Sequence, residues 1–296
     1  MAPILVADGV FIGNEQEAND YEALENIGIT AILSVIEYPL EDVPEHFSYL
    51  HLCASDIPTE DLLSLLPKGI AFIKDVRLKG KSVCVHCHMG RSRSATMIAA
   101  WLMSAKRISP EDAIAIIRKE SPRIEPNIGF KLQLNAFHLM GYNIKNSCPI
   151  YRLYRLQCIS ERMSECGVVP EDLLAPDPAT DSIAGEKTFR CRKCRRLLFI
   201  GLSVIDHVNG VEQLSFSWSF YKNNQHNSKT QFQTCSSVFI EPVRWMEPLL
   251  IGVMEGSLPC PKCNAKLGHF NWLGTQCSCG RWVRPSFQFH KSKIDC

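Results

Sequence analysis

The sequence predicts an α/β domain with a mainly parallel central sheet flanked by helices, followed by a small β-rich domain organised around cysteines. Three observations carry this. Short apolar, β-branched runs alternate with helix-like stretches through the first 145 residues, the pattern of strands joined by helical crossovers. A strand–loop–helix passage places Cys87, Gly90, Arg93 and Ser94 in and around one loop. From Phe189 onward, cysteines recur in close pairs among aromatics and short β-like runs. At 296 residues the chain has room for about two domains. The expected division is 1–145, a helix and linker over 146–188, and 189–296.

Each element has its reason. Val10–Gly13 is an apolar run closed by a turn glycine, and residues 18–27 read as one helix stopped at Gly28. Residues 32–36 form a buried strand, residues 47–53 alternate around Tyr49, and Ser82–His86 is a second apolar strand. Residues 62–78 read as a helix whose main body starts at Pro67. Residues 94–103 lack Gly and Pro and form a buried helix. Ser109 caps the next helix, with Pro110, Glu111 and Asp112 in its first turn and Arg118 and Lys119 in its last. Pro170, Pro176 and Pro178 mark a linker.

Composition excludes several classes. Hydrophobic residues make up 46% and charged residues 21%, which is not the balance of a disordered chain. No apolar run reaches the ~18 residues of a membrane span. Residues 1–10 carry Asp8 and no basic start, so a secretory signal is not expected and a soluble intracellular protein is. The net charge of +1 hides an asymmetry: residues 1–186 hold 17 Lys and Arg against 25 Asp and Glu, residues 187–296 hold 15 against 6. A solvated basic face or a basic partner surface both follow from the second half.

The segment from Val83 to Ser94 concentrates the chemistry. A loop running from a strand into a helix N-terminus turns successive N–H groups toward one cavity, which suits a phosphate dianion. The loop residues His88, Met89, Gly90, Arg91 and Ser92 would line that cradle. A thiol at its base, Cys87, is expected as the thiolate. Arg93 can grip two phosphoryl oxygens with its planar fork. Attack on a phosphate ester also requires a proton for the leaving oxygen, and Asp56, on the loop after the second strand, is the expected acid, with Asp61 next. Asp56 or Thr59 as a mere helix cap is the competing reading. Cys84 and Cys87 are not a redox pair, because three strand steps separate their Cα atoms by ~10 Å.

These residues resemble the dual-specificity branch of the cysteine-dependent protein phosphatases. His86-Cys87 with Arg93-Ser94 matches the family's signature loop, and residues 28–33 and 125–130 match its other landmarks. The resemblance implies the cysteine-phosphatase fold, Cys87 as nucleophile through a phosphocysteine intermediate, and Arg93 on the transferring phosphoryl group. It makes Asp56 general acid and then base, and Ser94 the hydrogen-bond donor to the departing thiolate. No metal is needed for that catalysis. Met89 and Arg91 depart from the usual pattern, and the extra basic groups resemble lipid phosphatases of the superfamily. A phosphoinositide or RNA phosphate is therefore the alternative substrate, against which stands the acidity of residues 1–186.

In the C-terminal part, Cys260, Cys263, Cys277 and Cys279 are two close pairs expected to close one tetrahedral zinc site. Cys191, Cys194 and Cys235 then need a histidine for a second; His207, His226, His269 and His290 are the candidates, and His207 is preferred. Trp272 and Trp282 are expected in the core rather than stacked on bases. With the segments at 189–196, 239–246 and 268–282, the whole chain resembles the YVH-type dual-specificity phosphatases. The resemblance implies two structural zinc ions and a role of the zinc domain in late maturation of the large ribosomal subunit. Partners are then a phosphoprotein substrate and the pre-60S particle or rRNA, with no membrane; a non-catalytic assembly role is the alternative main function. Two zinc ions on seven thiolates leave the basic region at about +6, and Arg190, Arg192, Lys193, Arg195 and Arg196 crowd the first zinc turn. A monomer in nucleus and cytoplasm is expected.

Overall fold

The computed structural model of the chain describes residues 2–145, 148–167, 174–180, 187–205 and 235–296. It divides into two compact units, Met1–Tyr151 and Arg152–Cys296.

The first unit is built on β1 (Ile4–Ala7), β2 (Val10–Gly13), β3 (Ile29–Ile36), β4 (Ser48–Cys53) and β5 (Ser82–His86), in the order β1-β2-β5-β3-β4. All pairings are parallel except the β1–β2 hairpin at one edge. β3 is buried along nearly its whole length, as expected for a strand covered on both faces. Parallel pairing sets the carboxyl ends of β2, β5, β3 and β4 along one edge. The residues that follow them, Asn14, Cys87, Glu37 and Ala54, therefore meet there.

Helices α1 (Glu15–Ala18) and α2 (Tyr21–Asn26) replace the single helix expected over 18–27. The break is local capping chemistry: Asn14 and Glu17 form a capping box on α1, and the Asp20 carboxylate accepts from the Ala23 amide to start α2 afresh. Helix α3 (Leu66–Leu78) begins with Pro67 in its first turn. Helix α4 (Arg93–Lys106) is buried from Arg93 through Ala100 and again at Leu102 and Met103. Helix α5 (Pro110–Glu120) is capped by Ser109, whose side chain accepts from the Asp112 amide. Helix α6 (Ile128–Leu139) is capped by Asn127.

Helix α7 (Pro149–Cys166) runs on into the second unit, where Ile159 and Met163 join the core. The described residues of that unit form three sheets. β6 (Thr188–Cys191), β7 (Leu197–Ile200) and β14 (Ile294–Asp295) form one. β8 (Ser237–Phe239), β9 (Glu255–Pro259), β10 (Lys266–Asn271) and β13 (Ser286–His290) form the second, in the order β8-β13-β10-β9. β11 (Thr275–Gln276) and β12 (Trp282–Val283) form a short hairpin, and α8 (Glu247–Leu250) lies between β8 and β9 in the chain. The core is aromatic: Phe199 and Phe289 lie 5.0 Å apart, and Trp272 meets Phe287 edge-on at 5.1 Å. Trp272 is fully buried, so it packs and has no face free for stacking on a base, whereas Trp282, 37% exposed, does not join the core expected of it.

Candidate active site and candidate metal centres

Cys87 follows the last residue of β5 and is almost fully buried at the base of the loop that ends at the start of α4. Its sulfur lies 3.3 Å from the Ser94 hydroxyl, within reach of an O–H···S bond. Gly90 has φ of +67°, and a Cβ there would meet the Gly13 carbonyl oxygen at 2.8 Å, so the loop closes on the end of β2 only with glycine. Behind it, the His86 ring sits 2.6 Å from the Ser34 hydroxyl, and burial pushes its pKa down to about 4.

Arg93 is buried at the first turn of α4. Its Nη1 donates to the Glu37 carboxylate at 2.7 Å and to the Ala54 carbonyl at 2.8 Å. Partial burial opposes ionisation of Glu37, but the Arg93 hydrogen bond wins and holds it below the usual carboxylate range. Arg93 Nε is buried, has no hydrogen-bond acceptor among the described residues, and lies 3.9 Å from Asp56 Oδ2. The guanidinium is thus fixed by one edge and offers the other.

Asp56 is held by two donors on the same oxygen: Ser92 Oγ at 2.7 Å and Asn127 Nδ2 at 2.9 Å. Asn127 in turn donates its amide N–H to Ser92 Oγ at 3.2 Å and accepts from the Phe130 amide as the α6 cap. One residue thereby starts a helix and orients the candidate acid. Asp61 does other work: its carboxylate accepts from the Ser64 amide and hydroxyl, three residues on, at the turn leading into α3. Thr59 is not part of this cap.

The structure therefore brings together Cys87, Arg93, Ser94, Ser92 and Asp56, with Gly90 in the loop. His88, Met89 and Arg91 of the same loop are exposed. His88 Nδ1 is 2.7 Å from the Glu15 carboxylate, and Arg91 Nε donates to the Arg123 carbonyl at 2.9 Å. Sequence reading missed Glu37, Ser34 and Asn127 as supports. Asn127 carried a legible signal, an Asn directly after Pro126 and before an apolar run, which marks a cap. Glu37 carried none.

The cysteines of the second unit fall into two clusters, Cys191 with Cys194, Cys260 and Cys263, and Cys235 with Cys277 and Cys279; within each, the sulfurs lie within 4.8 Å of one another. This corrects the expected pairing of Cys260 and Cys263 with Cys277 and Cys279. The first of those pairs sits in the turn between β9 and β10, the second lies beyond the far end of β10. Six residues at ~3.3 Å each separate the two ends by ~20 Å. The turn after β6 supplies Cys191 and Cys194 to the β9–β10 turn instead. His207 and His226 lie outside the described residues.

The donor sets fit a metal. Sγ–Sγ separations of 3.8 Å (Cys191–Cys263) and 3.5 Å (Cys194–Cys260) are close to the ~3.8 Å edge of a tetrahedron with ~2.3 Å metal–sulfur bonds. The Arg196 amide donates to Cys194 and brings that thiol down to about 7. Each cluster is able to hold a metal ion, and the all-sulfur set is compatible with zinc. The basic residues beside the first cluster are less bare than their sequence crowding suggests. Arg192 and Arg195 both pair with Asp295, and Arg196 pairs with Asp177.

Comparison with known proteins matches residues 10–139 to the family model described as "dual specificity phosphatase, catalytic domain". Dual specificity protein phosphatase 12 of Homo sapiens is 41% identical, with 98% of this chain and 87% of that protein covered. Tyrosine-protein phosphatase yvh1 of Schizosaccharomyces pombe is 31% identical, with 98% and 83% covered. Among solved structures, the Yvh1 phosphatase domain from Chaetomium thermophilum is 32% identical, covering 49% of this chain and 98% of that one at a TM-score of 0.43.

Proposed function

The chain belongs to the dual-specificity phosphatases of the Yvh1 type and is a cysteine-based protein phosphatase, and from that premise we propose how its residues divide the work. Cys87 attacks the phosphorus of a phosphotyrosine, phosphoserine or phosphothreonine; the phosphorus–oxygen ester bond breaks as the sulfur–phosphorus bond forms. Asp56 delivers the proton to the leaving side-chain oxygen. A phosphoryl oxygen supplies the acceptor that the offered edge of Arg93 lacks. Water then attacks the phosphocysteine, Asp56 takes its proton, and phosphate departs as Ser94 donates a hydrogen bond to the returning thiolate. The observation that carries this reading is the convergence of Cys87, Ser94, Arg93 and Asp56 on one edge of the parallel sheet. No metal takes part in these steps.

The second unit is proposed to hold two structural zinc ions, one on Cys191, Cys194, Cys260 and Cys263 and one on Cys235, Cys277 and Cys279, with His207 as the preferred fourth ligand. Its excess of basic residues, 15 Lys and Arg against 6 Asp and Glu over 187–296, supports association with rRNA on a pre-60S particle. On this reading the protein is a monomer acting in nucleus and cytoplasm, and the assembly role depends on the zinc unit rather than on Cys87. Sedimentation of cell extracts on sucrose gradients tests it. Wild type and Cys87→Ser are expected to travel with large-subunit precursors, and Cys260→Ser/Cys263→Ser to stay at the top. If wild type also stays at the top, the ribosomal reading is lost.

A further inference from the structure

The acid loop and the start of α6 are braced against each other. Gly129 packs directly on the Pro58 carbonyl. Gln133, one turn further along α6 and buried, donates through Nε2 to the Glu60 carbonyl at 2.7 Å and accepts from the Leu63 amide at 2.7 Å. The Glu60 carboxylate in turn accepts from the Ser55 amide at 3.0 Å, just ahead of Asp56. With Asn127 donating to Asp56, residues 55–63 and the first turns of α6 form one fixed surface.

Where it meets solvent, that surface carries three large apolar residues. Ile57 follows Asp56 and is 50% exposed; Ile128 follows Asn127 and is 65% exposed. Each stands one residue before the Pro58–Gly129 contact, so the contact brings the two isoleucines together. Leu132, 41% exposed, lies one turn along α6 from Ile128 on the same side of the helix. Single exposed hydrophobics are ordinary, but three that adjoin beside the candidate acid mark a contact surface.

We propose that Ile57, Ile128 and Leu132 form a shelf for a large apolar side chain of a peptide substrate, within three residues of the phosphorylated one. The proposal rests on the phosphatase reading and names its substrate class. The place of the acid selects this occupant. With the phosphate at Cys87 and Arg93, the leaving oxygen faces Asp56, and the substrate chain continues outward from that oxygen. Its neighbouring residues therefore pass over those that flank Asp56 and Asn127. A peptide fits better than an anionic bilayer, because Asp56, Glu60 and Asp61 share the loop with Ile57, and residues 1–67 carry 13 Asp and Glu with no Lys or Arg.

The test moves a single leucine through the three positions on either side of phosphotyrosine in an otherwise alanine-flanked peptide. Wild type is expected to turn over one of these peptides with kcat/KM about ten-fold above the all-alanine peptide. The preference is expected to hold as salt rises, because no charge carries it. Ile128→Ser/Leu132→Ser is expected to bring the leucine-to-alanine ratio close to one, Ile57→Ser to reduce it, and Ile128→Leu to keep it. The ratio compares two peptides on one enzyme, so a variant damaged as a whole loses both rates and keeps its preference. Binding of the same peptides to Cys87→Ser reads the shelf without turnover. A leucine preference there with no hydrolysis by wild type rejects the phosphatase reading and keeps the shelf. Hydrolysis of all peptides at one kcat/KM, or a preference that survives Ile128→Ser/Leu132→Ser, overturns the shelf and keeps the phosphatase. Peptide ratios at one, with phosphoinositide turnover in vesicles lost on the same substitutions, overturn it in favour of a lipid.

Discussion

Arg93 and Asp56 show how the site is built one residue at a time. Each is held on one side and leaves the other free: Arg93 by Glu37 and Ala54, Asp56 by Ser92 and Asn127. Rotamers locked this way would position the proposed clamp and the proposed acid before substrate arrives. His86 supplies the floor. It is fully buried against Ser34, and burial holds it neutral with a pKa of about 4 against an ordinary 6.5. Between those values the unfolded chain binds the proton and the folded chain does not, so stability is present above about pH 6.5 and is lost as pH falls to 4. The loss attributable to this ring amounts to about 3 kcal/mol. An NMR titration of His86 is expected to show no protonation until near pH 4; a midpoint between 6 and 7 would contradict its burial as the controlling factor.

At the scale of elements, the site depends on α6 lying hard against the acid loop. A Cβ at Gly129 would sit 1.9 Å from the Pro58 carbonyl oxygen, a contact with backbone that no side-chain rotation relieves. Gly129→Ala is expected to cost about 1–3 kcal/mol and to lower kcat on a phosphoserine peptide, a poor leaving group, more than on p-nitrophenyl phosphate. Equal effects on both would show that Asp56 had not moved. The strands, α3 with its proline start, α4 and α5 were legible because each carries either a continuous apolar run or a cap. Helix α6, β1 and the α1–α2 break were not. β1, Ile4-Leu5-Val6-Ala7, is apolar throughout but only four residues long, and Ile4 and Leu5 are exposed at the sheet edge. The α1–α2 break is set by Asp20, whose capping hydrogen bond outweighs the helical periodicity that runs through it.

At the scale of the whole molecule, the cysteines were legible as candidate metal ligands and illegible as partners. Spacing along the chain identifies a turn that can present two thiols, but which turns meet depends on where strands carry them, and β10 carries Cys263 and Cys277 apart. The consequence is measurable as bound zinc. Cys191→Ser, Cys260→Ser and their double variant are each expected to lose the same single ion, because both residues serve one cluster. A double variant that loses both ions would restore the sequential pairing. The two clusters also place all the ligands in the second unit and all the phosphate chemistry in the first, so chelation is expected to spare hydrolysis.

The claim on which the rest depends is covalent attack by Cys87. Rapid denaturation of the full chain while it turns over a ³²P-labelled phosphotyrosine peptide, followed by digestion and mapping, addresses it directly. Label is expected on the fragment containing Cys87 and absent in Cys87→Ser. Label on another residue, or undiminished hydrolysis by Cys87→Ser, would contradict the account.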